Sequence, residues 1–293
     1  MTDDELSNKS ESDSGSDSEP AERAERWQHY VRNDILEELG RIHLKNGFTV
    51  SALLIRDLYP VSSGGLGAEG LPSFMKSLQK FSVSIPKVDP DLNDRVGYPL
   101  SADIYTGFIE DLTQFLGAAT ELKTFEYDAD QFQYPGELWS TDPDGQWDEV
   151  TFPHLESLRI QRLSIYNDKH TDIRTLPIIQ FILRHRTTLK ELHPHDCAID
   201  AKSQVPSTWR AVFDVFKEEL TNLRQITFLP LPGRDENDTR RFGGYQWYNN
   251  VREEYSPYIP NGCEDPAGMG ADKESLQALQ KELDKRQSTA VAL

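Results

Sequence analysis

An apolar pattern that returns along the middle of the chain limits the available folds more than any other feature. It consists of an apolar residue, two others, a second apolar residue, one other and a third apolar residue. The first positions are separated by 28, 44, 33, 34 and 34 residues. The recurrence of the pattern predicts repeated units. Its last two apolar residues are separated by one other residue, an alternation that is typical of a short strand. The occurrences are Val50/Leu53/Ile55, Leu78/Phe81/Val83, Leu122/Phe125/Tyr127, Leu155/Leu158/Ile160, Leu189/Leu192/Pro194 and Leu223/Ile226/Phe228.

Helical patterns precede several of these strands. One strand and one helix cannot bury an apolar face alone, whereas stacked copies share a continuous core. The sequence therefore predicts an α/β fold, an irregular leucine-rich-repeat-like solenoid with parallel strands and outer helices. An ordinary doubly wound α/β domain with chance spacing is the alternative. The helical sets are Ile104/Phe108/Leu112/Phe115/Leu116, Leu176/Ile178/Ile179/Ile182/Leu183 with Pro177 in the first turn, and Trp209/Val212/Phe213/Phe216/Leu220 with Ser207 as the cap.

Composition divides the chain into four segments. Residues 1–21 are acidic and polar and are predicted to be a disordered tail. Residues 22–46 are predicted to be a capping helix, and residues 47–232 the repeat domain. Residues 233–293 are predicted to hold an aromatic loop without regular structure, from Phe242 to Tyr258, and a tail with a short helix. That helix is expected to fray in solvent, with docking as a cap as the alternative.

Charge and composition restrict the partners. The formal net charge of -18 repels a phosphate backbone, so no nucleic-acid partner is expected. No apolar run approaches the roughly 20 residues of a membrane span, and the N-terminus lacks the features of a signal peptide. Two cysteines imply no disulfide framework. A cytoplasmic or nuclear protein without membrane partners is expected.

Two motifs have residue types found in nucleotide-binding or metal sites, but their sequence context does not fit such sites. Gly65–Gly70 has the spacing of a dinucleotide-binding loop, but a proline-containing stretch separates it from the preceding strand. A nucleotide-binding enzyme that uses this loop is the alternative function. His193, His195 and Asp196 resemble metal ligands, yet Cys197 occupies a position that repeats turn inward, so a buried structural cysteine is predicted. No catalytic residue, metal or cofactor is expected.

The middle of the chain resembles the C-terminal leucine-rich-repeat-like region of fungal F-box-like proteins. The resemblance covers roughly residues 70–230. It implies that the repeats hold a substrate while an F-box docks to a cullin–RING ubiquitin ligase. The Leu-Pro-x-Glu opening of an F-box is absent, so that module is expected either to be lost or to lie upstream. The segments that carry the resemblance are Lys80–Ile85, Gly107–Ile109, Phe152–Leu158, Phe181–Leu192, His195–Cys197 and Thr208–Phe213.

The strand pattern also predicts a binding surface. Side chains alternate along a strand, so residues between the apolar positions point away from the core, towards the concave face of a solenoid. Curved repeat arrays commonly bind partners on that face. We therefore predict a non-enzymatic protein-binding module whose partner is an unknown protein. The predicted partner-binding residues are Ser82, Glu126, Arg159, Glu191, His193, Gln225 and Thr227.

Overall fold

The computed structural model describes an α/β chain built around an open, parallel sheet. It describes residues 19–58, 65–85, 102–129, 150–165, 172–200, 208–230, 245–249, 254–256 and 269–291. The helices are α1 (Glu19–Asn46), α2 (Leu71–Met75), α3 (Ala102–Gly117), α4 (Pro177–Arg184), α5 (Trp209–Glu219) and α6 (Met269–Val291), with a 3₁₀ turn at Ile173–Thr175. The strands are β1 (Ala52–Ile55), β2 (Lys80–Ile85), β3 (Thr124–Ala129), β4 (Ser157–Gln161), β5 (Ser164–Ile165), β6 (Glu191–Asp200), β7 (Gln225–Ile226), β8 (Leu229–Pro230), β9 (Tyr245–Asn249) and β10 (Glu254–Ser256).

The strands of the repeated pattern lie side by side in chain order. Strands β1, β2, β3, β4 and β6 pair in parallel, and β7 and β8 continue the sheet beyond β6. The central apolar residue of each pattern pairs directly with that of the next strand. The predicted parallel strands are therefore confirmed, and they form one apolar row, Leu53–Phe81–Phe125–Leu158–Leu192–Ile226.

Helices cover the face of the sheet that carries this row. The ring of Phe81 packs on Phe115 of α3, with centroids 5.5 Å apart. The ring of Phe125 lies 6.5 Å from Phe181 of α4 and 5.5 Å from Phe152. The leucines that open the pattern from the second unit onward are fully buried, so strands and helices share one hydrophobic core. These leucines are Leu78, Leu122, Leu155, Leu189 and Leu223.

The C-terminal helix corrects a prediction. It was expected to be short and to fray, with docking as the alternative, but α6 has 23 residues and docks with Leu279 and Leu283 buried. Its Asp272 carboxylate accepts a hydrogen bond of 2.7 Å from the Arg210 backbone N–H in the first turn of α5. Its Arg286 guanidinium donates to the carbonyl of Leu220 at the other end of α5. An acid at the N-terminal end and a base at the C-terminal end both complement the helix dipole of α5.

Removing the Asp272 carboxylate tests this docking. Asp272→Ala leaves an N–H of the first turn of α5 without its acceptor, so we expect unfolding free energy to fall by about 1 to 2 kcal/mol, as for lost helix caps. Asp284→Ala, an exposed acid on the same helix, is the control and should change stability by less than about 0.5 kcal/mol. Urea denaturation measures both, and equal effects would contradict the proposed role of Asp272.

Three further boundaries differ from the predictions. The aromatic region is not irregular throughout, because β9 and β10 form an antiparallel pair and β9 lies beside β6. Phe242 and Tyr258 lie outside the described residues. Helix α1 already begins at Glu19, inside the segment predicted to be disordered, and residues 1–18 lie outside the described part. Thr208, and not Ser207, caps α5 by accepting a hydrogen bond from the Ala211 N–H; Ser207 is also outside the described part.

Among the described helices, none has both the length and the apolar composition to cross a membrane.

Candidate functional site: the polar face of the sheet

The side of the sheet that faces away from the helices carries ordered rows of polar side chains. The strand register places Ser82, Glu126, Arg159 and His193 next to one another in one row. The parallel row before it contains Lys80, Thr124, Ser157, Glu191 and Gln225. Thr227 lies two positions after Gln225, and the backbone N–H of Thr227 donates a hydrogen bond to the Leu192 carbonyl. We call this surface, with the third row described below, the polar face.

The seven residues predicted to bind a partner all lie on the polar face. Their side chains are half-buried or exposed. The structure thus brings them together on one surface, because the period of two along each strand and the parallel register act jointly. Their contact with a partner stays a prediction.

Most charges on the polar face are neutralised within the chain. Lys80 Nζ lies 2.8 Å from Glu126 Oε1 across two strands. Burial raises the pKa of Glu126, but hydrogen bonds from Lys80 and Ser82 outweigh burial and hold the pKa below its usual value. The Oε2 atom of Glu191 lies 3.6 Å from the Nε2 atom of His193. The carboxylate of Glu126 is therefore engaged with Lys80 and Ser82.

Arg159 differs from these residues. It stands between Glu126 and His193 in the register, yet its guanidinium forms no ion pair and no hydrogen bond within the described part of the chain. Its Nε atom is covered from solvent without an acceptor, and the side chain as a whole is half-buried. A buried donor without an acceptor carries a free-energy penalty of about 1–3 kcal/mol. Arg159 therefore combines a covered, unpaired Nε–H with a half-buried guanidinium that forms no ion pair in the described part of the chain.

A third row, which the sequence analysis did not include, extends the polar face. It contains Ser84, Asp128, Gln161 and His195, paired in register. Asp128 accepts a hydrogen bond of 2.7 Å from Arg162 Nε. Strands β2 to β4 and β6 extend beyond the last apolar position of the repeated pattern by at least one residue, and the polar residue at that next position was the signal that could have revealed the row.

His195 presents a second unmet donor in this row. The amide nitrogen of Gln161 lies 3.3 Å from His195 Nδ1, and with the amide as donor the ring carries its proton on Nε2. That Nε2 atom is buried and has no partner in the described residues. Burial lowers the pKa of His195, and the nearby charge of Arg159 lowers it further. The neutral imidazole therefore offers an N–H close to the Arg159 guanidinium.

The histidine–cysteine cluster does not converge on one point. His193 and His195 lie on the polar face, whereas Cys197 is buried in the core, as predicted. Asp196 separates them with a φ of 50°, at an irregularity in the pairing of β6 with β8. Burial raises the pKa of the Cys197 thiol to about 12, so it is protonated and unreactive at neutral pH. Among the described residues, no group of three or more potential ligands is placed to hold a metal ion.

The glycine-rich loop packs against α1. A Cβ at Gly40 would lie 2.4 Å from the Glu69 carbonyl oxygen, so the helix and the loop approach backbone to backbone. Gly70 has a φ of 84°, a conformation that favours glycine, and it directly precedes the five-residue helix α2. Close packing and backbone conformation therefore explain why glycine occupies positions 40 and 70. In addition, α2 is much shorter than the helix that faces a pyrophosphate in a dinucleotide site.

Comparisons with protein-family models, with curated proteins and with solved structures return no match to this chain. Functional inference therefore depends on the geometry of the polar face.

Proposed function

We propose that the chain is a non-enzymatic protein-binding module, an irregular leucine-rich-repeat-like solenoid that holds its partner on the polar face. The observation that carries this proposal is the half-buried guanidinium of Arg159, which lies in the middle of a polar row without an acceptor in the described residues. Arginine is enriched among the residues that dominate binding energy in protein interfaces, where it is covered by the partner.

The scaffold suits this role. Neighbouring strands hold their side chains about 4.8 Å apart, and the shared core beneath keeps this spacing rigid. Side chains fixed in this way lose little entropy when a partner binds. Rows of polar side chains beside an arginine also match the mixed composition of transient protein interfaces.

The resemblance to F-box-like proteins suggests a more specific role. We propose that the module holds a substrate for an F-box-type ubiquitin ligase adaptor, provided that an F-box accompanies it. Co-purification with a cullin–RING ligase, under conditions that preserve the complex, tests this link separately from binding itself.

Partner capture from cell extract tests the binding proposal. The full chain and the double variant Arg159→Ala/His193→Ala are compared, because both residues stand at the centre of the row. We expect at least one partner to bind the full chain and to lose roughly 10- to 100-fold in affinity with the double variant, the effect of losing one or two interface hot-spot contacts.

Arg186→Ala is the matched control. Arg186 is exposed in the turn after α4, away from the polar face, and its removal changes the net charge by the same amount as Arg159→Ala. Thermal melting should show that all variants fold. Partners that bind the double variant as well as the full chain would refute the proposed binding surface.

A further inference from the structure

The structure points to a carboxylate as the group that the polar face binds: we infer that an aspartate or glutamate side chain of an extended partner segment docks at Arg159 and His195. This inference rests on the proposed function, since it names the chemistry of the partner at the same surface. His195 belongs to the row that sequence reasoning missed, and it adds a second donor to the site.

Arg159 is the charged residue of the polar face that has no partner within the described part of the chain. Every other formally charged member of the polar face has a partner in the chain: Lys80 with Glu126, Asp128 with Arg162, and Glu191 beside His193. Glu126 stands next to Arg159 in the register but directs its carboxylate to Lys80. The charge of Arg159 acts on the Glu126 carboxylate, but the two side chains form no hydrogen bond or ion pair in the described part of the chain. A half-buried guanidinium with unpaired donors attracts a carboxylate strongly, because the planar fork of donors matches its two oxygens.

Two unpaired donors lie close together at this position. His195 Nε2 and Arg159 Nε both lack acceptors among the described residues, and they belong to neighbouring strands. The two side chains are close enough for the charge of Arg159 to affect the ionisation of His195. With Gln161 donating to the other ring nitrogen, the unpaired atoms of Arg159 and His195 are both donors, which suits an anion.

The balance of charge at this position favours a carboxylate over a phosphate. One negative charge balances one guanidinium, because the neutral His195 contributes a donor but no charge. A phosphate group, with a charge of about -1.5 to -2, would leave excess negative charge beside Glu126 and Glu191. The chain already carries a formal charge of -18, which makes that excess unfavourable.

A displayed library of random peptides, selected on the full-length chain, supplies the probe. We expect the selected peptides to share an acidic residue at one position. Replacing that residue in the peptide, Glu by Gln or Asp by Asn, should weaken binding roughly 10- to 100-fold, the contribution of a charge-assisted hydrogen bond. Fluorescence anisotropy measures the dissociation constants.

A double-mutant cycle then assigns the contact. Arg159→Gln should weaken binding of the acidic peptide to the same extent, and it should have little further effect on the peptide that carries the amide, because both changes remove one interaction. Arg186→Gln is the control on the protein side and should leave both constants unchanged. Additive effects of the two changes would overturn the contact between Arg159 and the carboxylate.

The ionisation of His195 supplies an independent measurement. Arg159, His193 and Asp196 act electrostatically on this ring. A carboxylate bound beside Arg159 offsets the guanidinium charge, so the pKa of His195 should rise when the acidic peptide binds. An NMR titration of the ring with and without peptide detects this rise, and an unchanged pKa would contradict the inferred position of the carboxylate.

The outcomes separate the inference from the proposed function. Ser157→Trp places a bulky side chain on the polar face next to Arg159 and should block any ligand there. Peptides that respond to Ser157→Trp but not to Arg159→Gln would overturn the carboxylate inference and leave the binding surface standing. Peptides insensitive to both variants, or a selection without binders, would overturn both. Tighter binding of a phosphoserine peptide than of the acidic one would overturn the choice of a carboxylate.

Discussion

Phe125→Ala is expected to lower the free energy of unfolding by about 3–5 kcal/mol, the range for removing a buried aromatic ring. Phe125 is fully buried at the centre of the apolar row, and it contacts rings from strand and helix layers alike. Its centroid lies 6.1 Å from Phe81 on the neighbouring strand and 5.5 Å from Phe152. The variant would leave a cavity that several elements share, so collapse around it is limited.

Leu54→Ala is the matched control for this variant. Leu54 belongs to β1 but is 54% exposed on the other side of the sheet, so its loss should change stability by less than about 1 kcal/mol. Leu158→Ala and Leu192→Ala, in the same apolar row as Phe125, should cost about 2 to 5 kcal/mol each. Chemical denaturation gives the values. Near-zero effects at all three row positions would mean that the strands do not share one core.

The arrangement of the strands was predictable because two local signals agreed. Apolar residues such as Leu158 and Leu192 are separated by one helix-and-strand unit, and alternation within each strand separates the buried side from the polar side. Parallel pairing then follows, since several strands start in the same direction after a helix crosses over the sheet. The register pairs Leu158 with Leu192, as the spacing required.

The ends of the fold were not predictable in the same way. Helix α6 has few apolar residues, and much of its attachment comes from polar groups such as Asp272 and Arg286, which bind backbone atoms of α5. Sequence offers no pattern for a contact between residues more than sixty positions apart. The strand Tyr245–Asn249 was missed for a similar reason: it pairs with an extension of β6 beyond the repeated pattern.

The candidate site shows the same division. Two of its rows follow from alternation within the apolar pattern, and they contain Arg159 and His193. The third row, with Gln161 and His195, lies beyond the last apolar position, where the repeated pattern no longer marks which residues belong to the strand. Lys80 and Glu126 pair, whereas Arg159 has no hydrogen-bond or ion-pair partner among the described residues. This difference depends on side-chain directions, which only the three-dimensional structure provides.

Lowering the pH from 7.5 to 5 is expected to destabilise the fold through His185. This histidine is 2% exposed, and both ring nitrogens are engaged: Nδ1–H donates to the Phe181 carbonyl at 2.8 Å, and Nε2 accepts from the Phe152 N–H at 2.9 Å. A proton on Nε2 would face another donor. Burial lowers the pKa of His185 from 6.5 to about 4; the Phe181 hydrogen bond opposes this effect, and the charge of Arg184 adds to it.

The direction of the effect follows from proton binding. Between about pH 6.5 and 4 the unfolded chain binds a proton at His185 that the folded chain excludes, so stability falls as the pH falls. The contribution is fully present above the unfolded pKa, and about 2 kcal/mol should be lost by pH 5, approaching roughly 3 kcal/mol near pH 4. The lowered pKa of His195 acts in the same direction, so a variant is needed to isolate His185.

His185→Gln removes the titrating group and keeps a polar side chain that can still bond to one of the two backbone partners. Urea denaturation of both proteins at pH 7.5, 6.5, 5.5 and 5 gives their stabilities. We expect the variant to be less stable at pH 7.5, since one backbone group loses its partner, but to show a slope with pH that is shallower by about 2 kcal/mol over this range. Parallel slopes would mean that folding does not lower the pKa of His185. The rings of Phe152 and Phe181 would then pack around the imidazole less tightly than the contacts described above require.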